Sequence, residues 1–157
     1  MKNEPKITVG IMDWQAEVSG RLNGNFRENK FGPVSGRFSA KPEPGMIVFS
    51  VESHREICRS PLIKLTADKE STFKLFNVTI GNSFHWERTE DQTFQRDLIL
   101  QLRKDGTIAV INEIPLDDYL KSVISSEMNA AAPIEFLKAH AILSRSWLLA
   151  GLDRKKK

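Results

Sequence analysis

The chain has 157 residues, 40% of them apolar and 27% charged, which suits one globular domain with its own core and is short for two. Its net charge of +3 is carried entirely by Asp153 and the four basic residues after it, so residues 1–152 are neutral and no basic face for a nucleic acid is indicated. Cys58 is the sole cysteine, which excludes an internal disulfide and the paired-cysteine zinc patterns. No apolar run approaches the roughly 20 residues of a membrane helix, and the polar opening Met1-Lys-Asn-Glu-Pro-Lys6 does not have the form of a secretion signal.

The first two-thirds read as strands. Ile7-Thr-Val-Gly-Ile11 alternates apolar and small residues, Met46-Ile-Val-Phe-Ser-Val51 is a short apolar run, and Phe73–Ile80 has the period-2 pattern of a half-buried strand. Leu98–Arg103 and Thr107–Ile111 form the clearest hairpin of an antiparallel sheet, with Asp105-Gly106 predicting a tight primed turn. Segments 20–45 and 52–72, rich in Gly, Pro and mixed charge, read as loops or irregular strands. Phe84-His-Trp-Glu-Arg88 reads as an aromatic strand, an ordinary core strand by composition, although Trp86 is also suited to stacking on a sugar ring.

At Pro115 the pattern changes to helix. Asp117 and Asp118 fall in a first turn, where carboxylates oppose the positive end of the helix dipole. Leu116, Tyr119, Leu120, Val123 and Ile124 then make an amphipathic stripe over about 116–127. A second helix opens at Pro133, suited to the first helical position, and runs to about 151. Its apolar residues occupy two faces, as in a core helix. The chain ends just after it, so an exposed apolar patch along this helix and a longer parent protein are expected. Strands first and two packed helices last predict an α+β fold within a single domain, 1–157.

Two charged residues fall inside apolar stripes. Glu127 lies eleven residues after Leu116, about 20° off the same line, and a carboxyl facing an apolar wall is expected to hold its proton tightly, as a general acid must. A terminal Glu rotated into solvent is the plainer alternative. Arg145 sits between Ala141 and Leu148, where it is expected to pair with Glu127, to grip a polar substrate, or to snorkel. His140, beside Phe136 and Trp147, reads first as a satisfied histidine. Ser125, Ser126 and Ser144 lack histidine and carboxylate partners for a serine hydrolase.

Ile111-Asn-Glu-Ile-Pro-Leu-Asp-Asp-Tyr-Leu-Lys-Ser-Val-Ile-Ser-Ser-Glu-Met128, followed by Pro133-Ile-Glu-Phe-Leu-Lys-Ala-His-Ala-Ile-Leu-Ser-Arg-Ser-Trp147, resembles the stage II sporulation protein D family, also called the SpoIID/LytB or amidase-enhancer domain. The likeness is strongest over 84–149. Phe84–Gln92 looks like the version found in non-sporulating relatives, and Arg145-Ser-Trp147 departs from the family's usual Arg-Thr-Tyr. The resemblance implies a lytic transglycosylase acting on peptidoglycan, with Glu127 as catalytic acid/base and Arg145 functionally important. Ser126, His140 and Trp86 are candidate substrate contacts. It also implies a cell-envelope location, glycan strands as substrate and a cell-wall amidase as a further partner. No cofactor is expected within this chain, because the Cys/His segment that binds metal in some relatives would lie beyond Lys157. The alternative is a non-catalytic wall-binding or amidase-stimulating module.

Overall fold

The computed structural model describes residues 4–52, 55–80, 85, 87–127 and 131–154. Two compact units emerge, one of residues 8–113 and one of residues 1–7 with 114–157. The strands are β1 (Lys6–Gln15), β2 (Val18–Glu28), β3 (Gly32–Glu43), β4 (Met46–Val51), β5 (Arg55–Ser60), β6 (Leu62–Ala67), β7 (Thr72–Ile80), β8 (Arg88–Gln95), β9 (Asp97–Leu102) and β10 (Ile108–Pro115). Two helices follow, α1 (Leu116–Glu127) and α2 (Ile134–Arg154). The fold is α+β, strands first and helices last, as the pattern predicts.

The sheet runs β1-β10-β9-β6-β2-β3-β4-β5, with β7 and β8 branching from β2. β2 lies antiparallel to β3 along one edge. Its other edge is divided, with Gly20–Asn23 pairing to β7 and Phe26–Glu28 to β6. The register shifts between Leu22 and Phe26. Gly24 occupies this break with φ of +102°, and a Cβ there would stand 2.4 Å from Ser71 Oγ. Ser71 is buried; its hydroxyl accepts the Asn25 N–H at 2.6 Å and donates to Asp68 Oδ1. Asn25 Nδ2 donates to Asp68 Oδ2 at 2.8 Å. The Ser71 hydroxyl and the Asn25 amide together hold the Asp68 carboxyl below its ordinary range.

One face of the strands closes on a single cluster that includes Phe26, Phe38, Phe49, Phe73, Leu98, Leu100 and Ile108. Phe38 stacks on Phe49 and Phe73 on Phe94, each pair 5.4 Å between ring centroids, a spacing that adds to their area burial. Segments 20–45 and 52–72, expected as irregular, are in large part strand. Val18, Leu22 and Phe26 on β2, and Val34, Phe38 and Ala40 on β3, do point inward at period 2. Glycines fill the intervening inward positions at 20 and 36, and Arg, Ser and Lys fill the outward ones, which dilutes the apolar signal. Of the aromatic strand expected over 84–88, positions 84 and 86 lie outside the described residues, and among the others only Arg88 is strand, at the start of β8.

The 98–111 hairpin forms as predicted, with Leu102 opposite Ile108. Its turn is different. Gly106 alone takes a positive φ (83°), its N–H donates to the Arg103 carbonyl at 3.0 Å, and the Arg103 N–H donates to the Thr107 carbonyl at 2.8 Å. This is a type I turn closed by a left-handed glycine, since neither Lys104 nor Asp105 adopts the positive φ that both primed turns demand at their first central residue. Asp105 instead accepts the Thr107 N–H and hydroxyl.

Replacing Gly24 with Ala should destabilise the protein by about 1–3 kcal/mol, the cost of a non-glycine residue in a sparsely populated conformation plus its clash with Ser71; urea unfolding reads this directly. Cys58 is buried, and burial first, then the Glu28 and Glu56 carboxylates, push its thiol up to about 11 from 9.0. At pH 8 that lowers the reactive thiolate fraction about a hundredfold. Ellman's reagent should therefore titrate Cys58 rapidly only after denaturation.

Candidate functional site

The first helix begins against Glu4 and Pro5. Leu116 N–H donates to the Pro5 carbonyl at 2.9 Å, and Asp117 N–H donates to Glu4 Oε1 at 2.7 Å. Two of the N–H groups that every helix leaves without an internal partner are thereby satisfied, one by a carboxylate that also suits the dipole. Leu116 and Leu120 are buried, while Tyr119 and Val123 are half-buried. In α2 the Pro133 carbonyl accepts from the N–H groups of Phe136 and Leu137, so Pro133 caps the helix rather than opening its first turn. No residue of α2 is buried, and Ile142, Leu143 and Trp147 are 68%, 71% and 76% exposed. The apolar patch expected along this helix is present, and the enclosed core helix that its two apolar faces suggested is not.

Between the helices lies a groove of about 430 Å³, lined by Tyr119, Leu120 and Val123 of α1 and by Leu143, Ser144, Trp147 and Leu148 of α2. Its lining residues are apolar except for Ser144 and the polar ends of Tyr119 and Trp147. Helical periodicity locates the sequence candidates relative to it. Position 126 is seven residues after Tyr119 and position 127 seven after Leu120, each about 20° off its row. Ser126 and Glu127 are the last two residues of α1; their side chains lie outside what the structure describes. His140, half-buried, lies seven residues before Trp147 and four before Ser144, on the groove row of α2. Trp86 lies outside the described residues.

Arg145 does not need Glu127 as its partner. Its Nη1 donates to Asp117 Oδ1, across the two helices. Asp117 stands ten residues before Glu127, about 15 Å along the axis. The guanidinium is thus engaged at the start of α1, a helix length from the backbone of Glu127. Asp117 was legible in the sequence only as a dipole-compensating residue; nothing in its spacing marked it as a partner for position 145. Among the described residues, no group of three or more His, Cys, Asp or Glu is placed to hold a metal ion, and no helix is long and apolar enough to cross a membrane.

The groove, both helices and the residues discussed here fall within one stretch of sequence. Residues 104–157 match the family model of a stage II sporulation protein, SpoIID. The resemblance read from the sequence is borne out over that segment, roughly the last third of the chain, and it points to a cell-wall-related role. No curated protein and no solved structure matches the chain. The SpoIID segment takes in β10, α1 and α2, and leaves out most of the sheet.

The Asp117–Arg145 pair is about half exposed on both sides, so its strength should be that of a surface bridge. A double-mutant cycle with Asp117→Asn and Arg145→Gln should give a coupling of about 0.2–1 kcal/mol in thermal or urea unfolding. A coupling near zero would mean the pair does not join the helices in solution.

Proposed function

We propose that this protein acts on peptidoglycan glycan strands as a lytic transglycosylase, with Glu127 as the acid/base. One observation carries the reading: an aromatic-edged groove lies between α1, which ends at Glu127, and α2, inside the segment that matches SpoIID. The groove offers an apolar floor with two aromatic side chains and two hydroxyls, a surface suited to a sugar ring with its apolar faces and polar rim.

Cleavage at the N-acetylmuramic acid–N-acetylglucosamine linkage would proceed without water. The Glu127 carboxyl gives its proton to the glycosidic oxygen as the bond from that oxygen to muramic C1 breaks. The muramic 6-hydroxyl then bonds to C1, and the Glu127 carboxylate takes its proton. The product ends in a 1,6-anhydro ring and Glu127 returns to its starting state. Glycosidases that use water or a covalent intermediate need a second carboxylate for that partner. An internal hydroxyl removes the need, so one carboxylate serves both steps. Arg145, engaged by Asp117, is a positioning residue that fixes α2 against the start of α1. Ser126, at the end of α1, and His140, on the groove row of α2, are candidate hydrogen-bonding contacts to the glycan, and Trp86 is a candidate stacking contact. The site so proposed uses no cofactor from this chain, and a peptidoglycan substrate would be met in the cell envelope.

The exposed apolar length of α2, with Trp147 at the groove, also favours a second reading, in which the segment binds the wall or stimulates an amidase without cleaving glycan itself. The two are separated by Glu127→Gln, which preserves shape but removes proton transfer, an effect of about 10²–10⁴-fold. On peptidoglycan stripped of stem peptides, with anhydro-muramic ends counted by mass spectrometry, the variant should lose activity by that factor while its unfolding midpoint stays close to wild type. Equal rates of anhydro-end formation would exclude Glu127 as the acid/base. No anhydro ends from the wild type, together with faster turnover of an added amidase, would establish the second reading.

A further inference from the structure

The unit of residues 8–113 carries a cleft of its own where β2 divides, about 570 Å³ in volume. Its polar lining is Asn25, Arg27, Asn29, Ser35, Thr66 and Asp68. The ladder sets most of these in place. Arg27 lies opposite Thr66 on β6 and Pro33 on β3, and the Asp68 N–H donates to the Asn25 carbonyl at 3.3 Å, continuing the row one step beyond the paired strands. Asp68 and Asn25 are then locked by Ser71 and by each other, so this wall is fixed before any ligand arrives.

The hydrogen-bonding capacity around the cleft is unevenly spent. Asp68 already accepts from the Ser71 hydroxyl, the Asn25 amide and the Glu70 N–H. Arg27 is exposed, and among the described residues its guanidinium has no hydrogen-bond or ion-pair partner. Five forked donors are thus unspent on a residue that lines a cleft whose other polar groups are amides, hydroxyls and the Asp68 carboxylate. A guanidinium fork matches a carboxylate in two parallel hydrogen bonds. The neighbouring Asp68 charge opposes a dianion such as phosphate and leaves a singly charged group as the better match.

We infer that this cleft is a binding site for a carboxylate carried on an amide- or hydroxyl-bearing molecule, with Arg27 gripping the carboxylate and Asn29, Ser35 and Thr66 reading the groups beside it. A peptide C-terminus and a sugar acid both present that chemistry. The site belongs to the strand unit and does not depend on the activity proposed for Glu127.

Amide chemical shifts of the full chain, followed during titration, test it. The probes are N-acetyl-alanyl-alanine and its C-terminal amide, and N-acetylmuramic acid and N-acetylglucosamine. At least one carboxylate probe should shift the amides of residues 24–29 and 66–68 saturably, and the uncharged counterpart should not. Arg27→Gln should weaken that binding at least tenfold, with Arg27→Lys in between because a point charge replaces a fork. A response to the peptide alone, or to the sugar acid alone, supports the site and identifies its source. No shift in those amides with either carboxylate, equal shifts with charged and uncharged probes, or full binding by Arg27→Gln would overturn it. The charged-against-uncharged comparison is made on the unmutated chain, so the test holds even if a variant folds poorly.

Discussion

A β-strand has two edges, and β2 must serve three neighbours. It does so by giving one edge wholly to β3 and splitting the other between β7 and β6. The split requires the ladder to break once, and the break requires a residue that tolerates positive φ with no side chain toward Ser71. Gly24 meets both conditions. The backbone groups left over at the break are then taken by Ser71, Asn25 and Asp68, so that no buried polar group is stranded there. The branch lets the strand faces close on one phenylalanine-rich core, and the gap it opens on the other face is the cleft around Arg27.

The helical unit relies on a different economy of charge. α1 is only twelve residues long, below the length at which an isolated helix is stable in water. Asp117 contributes twice, opposing the dipole with its carboxylate and receiving Arg145 from α2, while its N–H is taken by Glu4. Each contact is exposed and individually weak. Together they hold the end of the helix pair at which α1 begins, ten residues before Glu127.

Much of this was legible in the residues. Apolar runs with clear period located β4, β7, β9 and α1, because in those elements the inward positions are filled by large side chains. The Pro-Leu-Asp-Asp-Tyr-Leu and Ser-Glu-Met steps located the helix pair and its family likeness. β2 and β3 were not legible, since glycine stands at inward positions where an apolar residue would have announced a strand. The hairpin turn was misread for a related reason: Asp-Gly serves both a primed turn and a type I turn with a left-handed glycine, and the five-residue span decides between them. The partner of Arg145 escaped because an ion pair across 28 residues leaves no periodic trace. The Arg27 cleft escaped because it is assembled from three strands that sequence spacing does not bring together.

The contact between Glu4 and Asp117 joins residues 113 positions apart. A ribosome adding roughly 5–20 residues per second would separate their appearance by about 6–23 s. For that interval the first residues of the chain exist without the helix end they satisfy, while the whole of the sheet is being made between them. The helix pair that carries Glu127 can therefore acquire its N-terminal cap only after the residues of the strand unit have been made, when that unit has had time to form.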